Sequence, residues 1–188
     1  AWRYIQFAVT NQFYMIASNF GVDYNSLRKI MMDGYGRLAT LPNAGFAAGP
    51  CLMKDTMQLF SLGRHYFSSG QTAMAVNEGM PNFIAENISK RFDIKRTTVG
   101  ILGMAFKADS DDKRDSLSYK LRKVLRFHGA NVLCSDEHIK DPSFVGKEEL
   151  VRRSRVVVVG VPHRAYRDLR LRKGVFLVDL WNSGAKRS

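Results

Sequence analysis

Four short runs rich in Val, Leu and Ile, TTVGILGMAF, NVLCSD, RVVVVGVP and VFLVDLW, all lie beyond Arg96, separated by stretches able to form helices. This placement constrains the fold more than any other feature. Alternating β and α segments with apolar strands argue for a parallel sheet covered by helices on its faces. Residues 1–93 hold no convincing strand. Their apolar periodicity instead predicts helices over Trp2–Asn19, Tyr24–Asp33, Met53–Ser68 and Thr72–Phe92. The expected fold class is therefore α/β, with a helical domain over 1–93 and a parallel-sheet domain over 94–188. The boundary falls at Phe92–Lys95, just before KRTTV opens the first strand, and the helix Thr72–Phe92 joins the two domains.

The 188 residues, 45% apolar, suffice for one large or two small cores. The net charge of +12 calls for an anionic partner: nucleic acid, an anionic membrane or a phosphorylated small molecule. No apolar run approaches the roughly 18 residues a membrane span needs, and no signal-peptide design is present, so a cytoplasmic protein without a membrane partner is expected. Cys51 and Cys134 stand far apart, without a disulfide-rich pattern, which fits free thiols in a reducing compartment. The first helix has no capping residue ahead of Ala1, which reads as a helix cut in its middle and the chain as a fragment.

Two segments carry the chemistry. In GFAAGPCLMKDT, residues 45–56, a loop of small residues leads to Cys51 and a helix beginning near Leu52. The positive end of that helix and nearby Lys54 both favour thiolate. Asp55, four residues on, stands one turn away on the same face, where a carboxylate can orient a water beside a thiol. The plain alternative is that Cys51 is a small apolar filler at a helix start.

The second segment is VGILGMAFKADSDDKRDS, residues 99–116: a strand, Gly103, a polar loop bearing Lys107 and Arg114, then the helix SLSYKLRKVLRF. A ligand at the carboxyl end of a strand, facing a helix N-terminus, is the usual arrangement of open α/β sheets. The segment lacks G-x-G-x-x-G and carries DSDD, so it is not an ordinary dinucleotide loop.

Together these segments resemble the UDP-glucose/GDP-mannose dehydrogenase family of nucleotide-sugar 6-dehydrogenases. GFAAGPCLMKD resembles its active-site loop G-F-G-G-x-C-x-x-K-D, and GMAFKADSDDKRDS its loop G-x-x-F-K-x-x-x-x-D-x-R-x-S. IQFAVTNQFYMIASNFGVD resembles the family helix bearing an Asn-Glu pair, with Asn11 matching and Gln12 in place of the acid. VLCSDEHI, VVVVGVPHRAYRDL and VFLVDLWN extend the likeness through the C-terminal domain.

The resemblance implies a helical dimerisation domain followed by a Rossmann-like nucleotide-sugar-binding domain, and NAD-dependent oxidation of a UDP-sugar at C6 to a uronic acid. It assigns Cys51 as nucleophile and Asp55 as the acid that helps activate water. Lys54 reaches the cofactor, while Gly45 and Phe46 lie in the loop around the sugar nucleotide. Lys107, with Phe106 beside it, contacts the nucleotide sugar, and Arg114 reaches towards NAD. Arg37 matches an arginine that reaches the partner subunit's site, implying a homodimer through the central helices. The family's catalytic lysine and asparagine, and its NAD-binding domain, would precede residue 1, so this stretch alone is not expected to turn over. VDLWN has Trp181 and Asn182 where some members carry an arginine, which leaves the sugar's identity open.

Other readings stand beside this one. Lys107 and Arg114 can simply neutralise DSDD. The chain can be a non-catalytic nucleotide-binding and dimerisation remnant. The basic stretches KLRKVLRF, VRRSR and HRAYRDLRLRK can form a nucleic-acid surface, although solvated basic residues are ordinary there. His65, His128, His138 and His163 are scattered without metal-ligand spacing, so no metal is expected, and His163 reads as a loop residue. Cys134, inside a strand, is expected to be buried and inert.

Overall fold

The computed structural model describes residues 1–187; Ser188 and the side chains of Arg64, His65 and Arg187 lie outside the described residues, and with them the metal reading of His65. The chain divides into two compact units, Ala1–Met80 and Pro81–Ser188.

The first unit holds α1 (Trp2–Asn19), α2 (Tyr24–Met32), α3 (Leu52–Gly63) and the opening turns of α4 (Ser68–Arg91). Helix α1 buries Tyr4, Phe7, Ala8, Asn11 and Ala17 along one face. Gly21 ends it with φ +70°, which lets the Val22 N–H reach back to Ala17 O at 2.8 Å. Asp23 caps α2, accepting the Ser26 N–H at 2.9 Å. Ala17, Tyr24 and Ala44 form a small core with Tyr14 and Leu27 packed on it. One expectation fails in detail: the helix predicted over Met53–Ser68 stops at Gly63 and gives way to a tight turn at Arg64–Phe67. Glycine at that point weakens helix propagation, and apolar periodicity does not register it.

The second unit is built on β1 (Thr98–Leu102), β2 (Asn131–Ser135), β3 (Val156–Val159), β4 (Arg170–Leu171), β5 (Phe176–Asp179) and β6 (Lys186–Arg187), with helices α5 (Leu117–Phe127) and α6 (Lys147–Arg153). The main sheet has the order β2-β1-β3-β5, all parallel. All of Val156–Val159 is buried, as a central strand covered on both faces requires. Helix α5 opens on Ser116, whose Oγ accepts the Ser118 N–H, and turns Leu117, Leu121 and Leu125 inward. The short pair β4–β6 forms a separate parallel ladder.

The sequence places the domain boundary at 93/94, whereas the compact units meet at Met80/Pro81, inside α4. Periodicity reports where a helix ends; it does not report which core its turns bury into. Ile84, Ala85 and Ile88, all buried, belong to the second unit.

Candidate functional site

In the first unit, the loop before α3 is held from beneath by a neutral amide network. Asn11, fully buried, donates from Nδ2 to Gly45 O (3.0 Å) and accepts the Gly45 N–H at Oδ1 (2.9 Å). The same Nδ2 donates to Asn77 Oδ1 (2.9 Å), and Asn77 Nδ2 donates to Tyr4 O (2.9 Å). Gly45 and Phe46 are thereby fixed in the interior, with Phe46 only 3% exposed. Gln12 stands exposed on the other side of α1.

From this anchored segment the chain emerges at Cys51, an exposed free thiol whose carbonyl accepts the first helical N–H of α3, from Asp55, at 2.9 Å. Lys54 and Asp55 are exposed in the same first turn and pair at 3.5 Å, a surface contact of small energetic weight. Arg37 is exposed in the short turn Gly36–Leu38.

In the second unit, the sheet order puts the chain reversal between β1 and β3, where open α/β sheets bind ligands at the carboxyl ends of their strands. Gly103, φ +86°, turns the chain out of β1; a Cβ there would stand 2.6 Å from Val161 Cβ, so only glycine fits. Beyond it, Phe106 and Lys107 lie together, with Lys107 Nζ 5.4 Å from the Phe106 ring centroid. Arg114 folds onto Asp112, with Nη2 2.6 Å from Oδ2 and Nε 3.0 Å from Oδ1. Those side-chain bonds, with the Arg114 backbone N–H, lower the Asp112 carboxyl to about 2. In this pairing Arg114 neutralises one of the loop's aspartates.

Sequence reading passed over what holds this loop. Asp136, just past β2, is buried and accepts the N–H groups of Met104 (2.6 Å) and Ala105 (3.1 Å) at Oδ2, and those of His138 (2.8 Å) and Ile139 (2.9 Å) at Oδ1. His163, fully buried just past β3, stands 3.1 Å from Asp136 Oδ2 through Nε2 and accepts the Asp109 N–H at Nδ1 (2.9 Å). A backbone N–H only donates, so Nδ1 is the acceptor and the neutral ring carries its proton on Nε2, donating to Asp136. Burial alone would push the Asp136 carboxyl up. The bonds from His163 and from the backbone of Met104, His138 and Ile139 outweigh it and hold the group well below the usual carboxylate range. Asp109 takes φ +53° and binds Arg164 through N–H (3.1 Å) and Nε (2.7 Å).

The fold also brings Asp109, His138 and His163 within 4.8 Å of one another, a grouping their sequence spacing concealed. Both nitrogens of His163 and both carboxylate oxygens of Asp109 already have protein partners, which leaves this trio poorly disposed to a cation. Trp181 is likewise engaged, donating from Nε1 to Gly160 O at 2.9 Å. Cys134 is buried, and burial raises its thiol, as expected for an inert cysteine. As for NAD, the turn from β1 to α5 carries Asp109, Asp111, Asp112 and Asp115 in place of a glycine-rich phosphate cradle, and Arg114 is committed to Asp112. The turn is thus not a glycine-rich dinucleotide loop.

Residues 100–184 match the UDP binding domain of the UDP-glucose/GDP-mannose dehydrogenase family. A UDP-N-acetyl-D-mannosamine dehydrogenase of Pyrococcus horikoshii is 25% identical over 89% of this chain, and a UDP-glucose 6-dehydrogenase of Haloferax volcanii is 33% identical over 69%. The aligned stretches amount to 41% and 31% of those proteins, so the chain spans less than half the length of the relatives it matches. The solved UDP-glucose dehydrogenase of Pyrobaculum islandicum superposes with a TM-score of 0.80 at 22% identity, over 98% of this chain and 47% of that one.

Proposed function

Because the chain belongs to the UDP-glucose/GDP-mannose dehydrogenase family, we propose that it serves the four-electron oxidation of the C6 hydroxyl of a UDP-sugar to a uronic acid. The observation that carries this reading is the family's UDP-binding match falling over the Lys107 loop, at the chain reversal of the sheet. Lys107 supplies an exposed cation for the diphosphate, and Phe106 lies beside it.

Cys51 acts as the nucleophile. Loss of a first hydride and the hydroxyl proton converts the C6 alcohol to the aldehyde; the thiolate adds to it to give a thiohemiacetal, loss of a second hydride leaves a thioester, and water cleaves this to the carboxylate and the free thiol. Asp55, one turn away, orients that water and accepts its proton. NAD would supply the hydride acceptor in each of the two oxidations, one molecule for each, and exposed Lys54 would be the residue here that reaches towards it. Exposure of the free Cys51 thiol at the start of α3 supports the assignment, because a nucleophile must be within reach of its substrate.

Trp2, Val9, Phe13 and Ile16 are all exposed and share one face of α1, opposite the face that the first unit buries, and exposed Phe20 follows just past its end. So continuous an apolar stripe fits a homodimer through the helical unit, into whose partner site Arg37 would reach. No described helix is long and apolar enough to cross a membrane, and both cysteines are free, which supports a cytoplasmic setting.

The test is a thermal-shift screen with UDP-glucose, UDP-N-acetylglucosamine, UDP-N-acetylmannosamine and GDP-mannose, joined to NAD reduction by the full-length protein. A UDP-sugar is expected to stabilise the chain, and Cys51→Ser to bind it equally well while losing at least about 1000-fold in turnover. Absence of stabilisation by every nucleotide sugar overturns the reading.

A further inference from the structure

Lys107 is the residue through which the proposed reading meets the nucleotide, and nothing in its own side chain explains why it should hold one position. The explanation lies in the backbone on either side of it. Immediately before Phe106, the N–H groups of Met104 and Ala105 converge on Asp136 Oδ2, and Ser116 Oγ donates to Ala105 O at 3.0 Å. Immediately after Ala108, the Asp109 N–H is taken by His163 Nδ1. His163 and Asp136 are joined to each other at 3.1 Å, and both side chains are wholly shielded from solvent.

We propose that His163 is a positioning residue for Lys107: with one ring nitrogen on Asp109 and the other on the carboxylate that holds Met104 and Ala105, it closes the arch of residues 106–108 into a fixed geometry for a nucleoside diphosphate. The inference rests on the reading of Lys107 as a nucleotide contact. Its physical basis is preorganisation, since a cation on a loop already fixed in its binding conformation loses less freedom when the phosphates arrive. The arrangement is demanding. Asp109 sits in the left-handed region, which a non-glycine residue keeps only when its surroundings hold it, and here the His163 ring and the Arg164 side chain do so. A histidine is suited to the task because its neutral ring offers an acceptor and a donor on separate atoms.

A double-mutant cycle read by calorimetric titration of the full chain with UDP tests this. Lys107→Ala is expected to weaken UDP binding about tenfold. His163→Leu, with no group at either ring position, is expected to weaken it by a similar factor. In the double variant the losses should not multiply, because a lysine that is absent cannot be misplaced. His163→Asn keeps an acceptor close to the Nδ1 position and should stay within about threefold of the parent. A purely structural role would lower the melting temperature yet let the losses multiply to about a hundredfold, which overturns the proposal. So would UDP binding by His163→Leu equal to the parent's, or His163→Asn as weak as His163→Leu. If Lys107→Ala binds UDP as the parent does, the reading of Lys107 itself is what falls.

Discussion

The loop that ends at Cys51 and the loop that carries Lys107 solve one problem with opposite chemistry. Each presents an exposed side chain of proposed function on backbone anchored from below by a buried polar group. In the first unit the anchor is the neutral amide of Asn11, both donor and acceptor to Gly45. In the second it is the ionised carboxylate of Asp136, an acceptor only, which therefore needs backbone N–H groups and His163 around it. A neutral clamp is indifferent to pH and fails only when its atoms are removed. A charged one is stronger per bond and is open to titration.

The largest expected effect comes from removing the neutral clamp. Asn11→Ala leaves Gly45 N–H, Gly45 O and Asn77 Oδ1 without their partner in the interior, a cost of roughly 3–5 kcal/mol in urea unfolding followed by circular dichroism. A loss under about 1 kcal/mol would show that the amide network is not what fixes the loop.

Asp136→Asn comes next, at about 2–3 kcal/mol near neutral pH, because the amide cannot replace a carboxylate accepting on both oxygens. Its pH dependence sharpens the contrast. The folded carboxyl titrates below its ordinary value of 3.8, so its contribution is complete above that value and is lost as acid carries the pH down towards the folded value. Melting curves from about pH 6 to about pH 3 should therefore fall less steeply for Asp136→Asn than for the parent. Asn11→Ala should lower the whole curve without changing its slope.

The smallest effect belongs to Arg114→Ala. Its partner Asp112 lies at the surface, so no measurable change in melting temperature is expected, but the Asp112 carboxyl should rise from about 2 towards 3.8 when followed by nuclear magnetic resonance. A marked fall in melting temperature would make this surface pair part of the clamp.

The strands were legible because a parallel sheet writes itself into short runs such as Val156–Val159, and α1 and α5 because their buried faces recur at helical spacing. The proposed roles of Cys51 and Lys107 rest on motifs that are contiguous in the chain. The anchors were not legible, since Asn11 lies 34 residues from Gly45 and 66 from Asn77, and Asp136 lies 27 from His163. Only the fold makes those residues neighbours. The one available signal was position: Asp136 and His163 both stand just past the carboxyl end of a strand. The two-residue strands β4 and β6 are too short to leave any pattern.

Pro81 occupies the residue of α4 at which the two compact units meet. Lacking an N–H, it cannot bond to the carbonyl of Asn77, so the hydrogen-bond ladder of a helix drawn without interruption is missing a rung there. Helix order spreads from turn to turn through those rungs, and a missing one weakens the relay. Opening that begins on one side of Pro81 is therefore expected to stop there, which amide exchange read along α4 checks.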